Sequence, residues 1–182
     1  MRNSRNETST VGFRLVKTRW GCFGIVLSGE HRVVATFLPQ EEASLRRALV
    51  SRYPGIREQS RGADKFCNQV RDYFSGAKTN WSVDIDLRAM PEFRRHVLEA
   101  CRRIPYGATA SYADLARAVG SPAAARAVGS AMANNPLPLI VPCHRVVRSD
   151  GTLGGFSSPR GTSQKIRLLK LENPSLRTSS FS

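Results

Sequence analysis

A chain of 182 residues with 41% hydrophobic side chains can hold one large domain or two small ones around a real core. The net charge of +14 arises from 15 basic against 9 acidic residues in 1–90 and 13 against 5 in 91–182; a surplus made mostly of arginine favours a polyanionic partner, nucleic acid first, because guanidinium matches phosphate bidentately. No apolar run approaches the ~20 residues of a spanning helix, Met1–Thr10 is polar with no signal-peptide core, and Cys22, Cys67, Cys101 and Cys143 are too scattered for a zinc or redox pair, so the expectation is a cytoplasmic, metal-free protein with reduced thiols and no membrane partner.

Residues 1–9, rich in Asn, Ser, Thr and Arg, read as disordered. Val11–Lys17, Cys22–Leu27 and Arg32–Leu38 read as three strands, the last two linked by the Ser28-Gly29-Glu30 turn. Pro39 is expected to open a helix with Gln40, Glu41 and Glu42 in its first turn, where acids suit the dipole, and to run to Val50 or Tyr53 before Pro54-Gly55. A second helix, Ala63–Ser75, repeats Phe66, Val70, Tyr73 and Phe74 on one face and stops at Gly76. Val83, Ile85 and Leu87 alternate with Asp84 and Asp86 as a half-buried strand would. This first part is an α/β unit in which Trp20, Trp81 and the other aromatics are core.

Pro91 marks a boundary. Glu92–Arg103 is a helix that buries Phe93, Val97, Leu98 and Cys101, so Cys101 is a packing residue. Ser111-x-x-Asp114 has the form of a capping box and starts the helix Tyr112–Val119, ended by Gly120. Ser121-Pro122 then supplies a new N-cap and first-turn proline for Ala123–Asn134. Two short helices joined by Gly-Ser-Pro fit a helix-turn-helix or an ordinary helical hairpin. The second of them is almost all Ala, Gly and Ser, with Arg126 its one charge. Such a helix either packs inside with Arg126 in solvent or brings its backbone close to another surface with the arginine reaching ahead; the overall charge favours a nucleic-acid groove.

Asn134-Asn135-Pro136 breaks that helix. Leu139-Ile140-Val141 then reads as a buried strand ended by Pro142, which delivers Cys143 and His144 to its mouth. A thiol becomes a nucleophile only as thiolate, which a histidine, a cation or a helix N-terminus supplies. Neighbours in an extended chain point to opposite faces, so Cys143 and His144 would meet only through a turn or a water. On these residues alone, a buried thiol beside an incidental histidine stands equally with a nucleophile beside its base. A Gly/Ser-rich loop, Leu153–Gly161, follows the Ser149-Asp150-Gly151 turn. The last helix, Ser163–Glu172, turns Ile166 and Leu169 inward and ends on an acid the dipole disfavours, which marks Glu172 as in need of a partner, His144 being the candidate. Asn173–Ser182 reads as a loose tail.

Pro142-Cys143-His144-Arg145-Val146 resembles the active-site signature of the 6-O-alkylguanine-DNA alkyltransferases, the methylated-DNA–protein-cysteine methyltransferases. The resemblance runs from about Phe93 to Glu172 and includes Ser111-Tyr112, Ala125-Arg126-Ala127-Val128-Gly129, Asn135-Pro136 and Leu168-Leu169-x-x-Glu172. It implies an α/β N-terminal domain over 8–88 (a three-stranded sheet plus helices, ribonuclease-H-like), a mostly α C-terminal domain over 91–173 with a winged-helix-like helix-turn-helix, and a flexible tail over 174–182.

The resemblance also implies a reaction. Alkylated guanine in duplex DNA is flipped into a pocket, and Cys143 takes the alkyl group from its 6-oxygen, or from the 4-oxygen of thymine, once per molecule and without a cofactor. His144 would remove the thiol proton through a water, and Glu172 would orient that histidine. Tyr112 would assist rotation of the nucleotide and protonate the leaving base, and Asn135 would brace the turn before the cysteine. Arg126 would fill the vacated stack, with Ala125 and Ser130 on the same helix against the minor groove, in place of the usual major-groove docking. The Val146 carbonyl, Phe156 and Ser157 would line the base pocket of a monomeric protein. Where the family often carries Tyr-Ser-Gly-Gly, this chain has Phe156-Ser157-Ser158-Pro159, a ring without its hydroxyl. Three rivals differ in class: a non-transferring binder that flags alkylated DNA, which would lack Cys143; a helix-turn-helix transcriptional regulator, which would need longer side chains on its reading helix; and a Cys-His-Glu hydrolase, which leaves the basic helix-turn-helix without a role.

Overall fold

The computed structural model describes residues 12–85, 87 and 90–176; the polar segment 1–9, the first residue of the expected first strand and the tail beyond 176 lie outside them. β1 (Gly12–Thr18), β2 (Gly21–Leu27) and β3 (Val33–Gln40) form an antiparallel meander. α1 (Glu42–Arg52) follows, and then β4 (Arg57–Glu58), which pairs in parallel with β1. The sheet therefore has four strands among the described residues, in the order β3-β2-β1-β4, where the pattern suggested three. β4 is two exposed residues, too short to carry an alternation.

Central β2 is buried on both faces, and the split of its side chains builds the layers. Cys22 and Val26 join Phe13, Ala35, Leu45 and Leu49 beneath α1. Phe23, Ile25 and Leu27 face α2 (Asp64–Phe74) through Phe66, Val70 and Phe74. Pro39 does not open α1. It lies within β3, an edge strand, where a missing N–H costs no ladder bond; α1 begins at Glu42, with the Glu41 carboxylate capping Ala43 and Ser44 N–H. The expected strand through Val83 and Leu87 reduces to one bridge, Ile85 to Val33; Asp86 lies outside the described residues.

The second part is helical. α3 (Glu92–Arg102) buries Val97, Leu98, Ala100 and Cys101, with Phe93 half-buried. β5 (Ala110–Ser111) leads into α4 (Tyr112–Ala118), whose capping box is complete: Ser111 Oγ accepts from Asp114 N–H while Asp114 accepts from Ser111 N–H. α5 (Ala125–Ala133) starts later than the sequence suggested; Ser121 caps nothing, and Ala124 stands at the cap without a side-chain bond. Instead the Ser121 carbonyl takes Ala124 N–H in a turn that holds Pro122 outside the helix.

The apolar run before the cysteine is a turn, not a strand. Pro136, Pro138 and Pro142 lack amide donors, Leu139 sits at φ 76°, and Val141 N–H closes on Leu137 O at 2.8 Å. Cys143–Arg145 form one 3-10 turn, β6 (Val146–Val147) pairs in parallel with β5, and α6 (Gly161–Glu172) closes the described fold. The buried stripe of α6 is Gln164, Lys165, Leu168, Leu169 and Glu172, while Ile166 is only half-buried. One apolar cluster runs from Phe23 and Tyr73 through Leu98 and Val128 to Leu168. Thr36 N–H and Oγ1 on β3 donate to the carbonyls of Pro136 and Pro138, each at 2.8 Å, so the sheet edge buttresses the turn that carries the cysteine. No described helix is long and apolar enough to cross a membrane.

Candidate active site

The 3-10 turn gives Cys143 and His144 different directions without the strict opposition of a strand, and all three of its residues are buried. Cys143 is itself buried, with 8% of its residue surface exposed. Asn135, in the break after α5, spans the turn: its Oδ1 accepts from Leu137 N–H at 2.9 Å, and its Nδ2 donates to Val141 O at 2.8 Å and to Cys143 Sγ at 3.2 Å. The amide both braces the turn and puts a donor on the sulfur. Burial pushes the Cys143 thiol up, opposed by the Asn135 hydrogen bond and the charge of Lys165.

His144 Nε2 lies 2.8 Å from Glu172 Oε1, with both side chains almost wholly buried. Arg145 clamps the same carboxylate, Nε to Oε2 at 2.7 Å and the second guanidinium arm to Oε1 at 2.8 Å, while its remaining amine donates to Ile104 O at 2.7 Å. Gly107 N–H at 3.1 Å and the Tyr73 hydroxyl at 2.6 Å complete the set. Gly107 is at φ 77°, and a methyl there would press on the Glu172 carbonyl at 3.1 Å, so glycine is needed for this approach. Burial alone would raise the Glu172 carboxyl; the hydrogen bonds and charges of His144 and Arg145 outweigh it and hold the group well below the ordinary carboxylate range. Burial lowers His144, against the pull of Glu172. An ionised carboxylate only accepts, so Nε2 carries the proton and Nδ1 keeps a lone pair. The resting site is thus a thiol, a neutral imidazole with a free basic nitrogen, and an anion neutralised by Arg145.

Lys165 on α6 is wholly buried, with Nζ donating to Val146 O at 2.6 Å; burial lowers it from 10.5 to about 8, opposed by the nearby Cys143 thiolate form. Arg145, Lys165 and Tyr73 are the site residues that sequence reasoning missed. Arg145 stood in the signature without a role and Tyr73 read as core. Lys165 had a signal: it lies seven residues before Glu172, on the same buried stripe of α6.

Tyr112 opens α4 half-buried, and burial with the nearby Cys143 raises its phenol. Gly154 lies against it so closely that a methyl would run into the ring and hydroxyl. α5 turns Val128, Ala131 and Met132 inward and leaves Arg126, Ala127 and Ser130 exposed, with Ala125 and Gly129 half-buried. The helix packs by its inner stripe and leaves Arg126 in solvent, as both readings of it require. Tyr112, Ala125, Arg126, Gly129 and Arg148 line one open depression. Phe156 is half-buried against the core, Ser157 is exposed beside Asn135 in a separate groove under β3, and the Val146 carbonyl already accepts from Lys165.

Residues 92–174 match the family model described as 6-O-methylguanine DNA methyltransferase, DNA binding domain. A methylated-DNA–protein-cysteine methyltransferase of Bacillus subtilis, the constitutive one, is 36% identical over 153 residues, 81% of this chain and 87% of the relative. One of Mycolicibacterium paratuberculosis is 42% identical over 118 residues, 65% of this chain and 70% of that one. Among solved structures, the O6-methylguanine methyltransferase of Mycobacterium tuberculosis superposes with a TM-score of 0.74 at 32% identity, covering 93% of this chain and 96% of its own. The same organism's enzyme in complex with DNA gives 0.76 at 30% identity, over 90% and 93% of the two chains.

Proposed function

The chain belongs to the methylated-DNA–protein-cysteine methyltransferase family, a direct-reversal DNA repair enzyme by that membership, and from that premise we propose which of its atoms carry the transfer. Cys143 is the acceptor. Nδ1 of His144 takes the thiol proton through a bridging water, and Glu172, held ionised, stabilises the imidazolium that forms. The Asn135 amide at 3.2 Å and the Lys165 cation favour the thiolate over the buried thiol. The sulfur attacks the alkyl carbon in line; the S–C bond forms as the C–O6 bond breaks, and the electron pair leaves on guanine, which takes a proton from Tyr112. The product is a thioether that no group in the site can cleave, so one molecule repairs one lesion, and the same displacement serves 4-O-alkylthymine. The observation that carries this reading is the buried His144–Glu172 pair beside a sulfur that already holds a donor.

The partner is double-stranded DNA containing alkylated guanine. The exposed small-residue face of α5 suits close approach to a minor groove, with Ala125 and Ser130 against the backbone and Arg126 entering the stack that the flipped base leaves. Val146 and Phe156 would line the base pocket, while Ser157, exposed in a separate groove, stands outside it. Within this reading, 8–88 is a ribonuclease-H-like structural module, 91–173 the winged-helix-like transfer domain and 174–182 a tail, and the protein acts as a cytoplasmic monomer. DNA carrying radiolabelled 6-O-methylguanine tests it: label should move stoichiometrically to Cys143 and not at all in Cys143→Ala. Multiple turnover, or label that stays on DNA, would overturn the assignment.

A further inference from the structure

Tyr73 projects from α2, 99 residues from Glu172 in the chain, and its ring is ordinary core. It stands edge-on to Phe74 and Tyr106, with centroids 5.2 and 6.1 Å away, and tilted against Trp81 at 5.3 Å. A wholly buried tyrosine must satisfy its hydroxyl, and this one does so inside the transfer site. Its Oη donates to Glu172 Oε1 at 2.6 Å, the oxygen that faces His144 Nε2 at 2.8 Å. Among the described residues, the hydrogen bonds to this carboxylate come from Tyr73, Gly107, His144 and Arg145, and Tyr73 alone of these belongs to the α/β part.

We propose that Tyr73 is a positioning residue of the alkyl transfer: its hydroxyl keeps the Glu172 carboxylate turned toward His144 and shares its charge, so the α/β part of the chain sets how basic the activating imidazole is. A phenol donates more strongly to an ionised carboxylate than to a neutral acid, so the contact favours the ionised form. Oε1 divides its charge among three donors, and each weakens its hold on the others. The groups facing the pair are the cations of Arg145 and Lys165, which disfavour a charged imidazole, and the neutral phenols of Tyr73 and Tyr106. Removing the Tyr73 hydroxyl leaves Glu172 a stronger acceptor for the imidazole proton, so His144 becomes more basic.

This rests on Cys143 being the acceptor, and the parent chain must first place label there; if it does not, that reading fails and not this one. Single-turnover transfer is then measured against pH, alongside NMR titration of the His144 ring, in Tyr73→Phe and in Tyr106→Phe, whose hydroxyl goes to Leu171 O at 3.3 Å and not to the carboxylate. In Tyr73→Phe the proton affinity of His144 should rise by roughly three- to tenfold, with the acid limb of the rate profile moving to higher pH and DNA affinity unchanged. Tyr106→Phe should move neither. Site-specific 3-fluorotyrosine at position 73 keeps ring and hydroxyl but donates more strongly, so it should shift the titration the other way; it also decides the matter if Tyr73→Phe does not fold. Profiles and titrations that superpose on the parent, with only the melting temperature lowered, would reduce Tyr73 to a core residue.

Discussion

The buried network around Glu172 and the outer face of α5 are built on opposite terms. Around Glu172 the charged and aromatic side chains are buried, both carboxylate oxygens are paired, and four residues converge on them. On α5 the outward positions are short side chains around one exposed arginine. The contrast separates two tasks. Moving a proton from a thiol needs a water-poor setting where hydrogen bonds are strong and fixed in advance. Approaching a polyanion of variable sequence needs little bulk and a charge free to reorganise. Damage to the first region should therefore appear in stability and chemistry together, and damage to the second in DNA-dependent rate alone.

Glu172→Gln tests the buried side most severely. It leaves Arg145 buried beside a neutral amide, which costs about 3–5 kcal/mol of stability, and it removes the anion that supports the imidazolium. Denaturant unfolding and single-turnover transfer should both fall sharply. The same residue sets the acid limit. Its folded pKa is depressed, so its stabilisation is fully present above the ordinary carboxylate value near 4.5 and is lost as pH falls below it; the variant should lose most of that dependence in melts taken down the acid range.

Gly154→Ala attacks the seam between the two regions. The added methyl displaces the Tyr112 ring without touching the His144–Glu172 pair, so transfer should slow by about tenfold to hundredfold while unfolding in denaturant changes little. Equal losses in both measurements would merge the regions that the comparison separates. Arg126→Ala acts wholly on the exposed side. The rate on duplex substrate should fall far more than the rate on free alkylguanine base, and if the side chain also meets a phosphate, the salt dependence of DNA binding should flatten by about one unit of slope. A proportional loss on both substrates would take Arg126 out of the flipping step. Ser111→Ala is the mildest change: breaking the capping box should cost about 1 kcal/mol, visible in melting, with the chemistry of Cys143 intact.

Much of this architecture was legible in local pattern. The capping box, the α2 and α3 stripes, the break at Asn135-Pro136 and the unease of an acid at the end of α6 all depend on residues within a few positions of one another. The errors share a cause. Pro39 looks like a helix opener and lies in β3, because only sheet order tells that β3 is an edge. Leu139-Ile140-Val141 looks like a strand and is a turn, because three nearby prolines remove the amides a ladder needs and Leu139 adopts a left-handed backbone.

By itself the sequence determined the family, the candidate nucleophile and base, and the small-residue helix with its single arginine, since these are matters of residue type and short spacing. Only the tertiary structure decided that Glu172 is ionised under five hydrogen bonds, that Asn135 reaches the sulfur, and that a tyrosine 99 residues away in the chain shares the carboxylate. Burial and long-range pairing set those charges, and neither leaves a periodicity for a sequence to display.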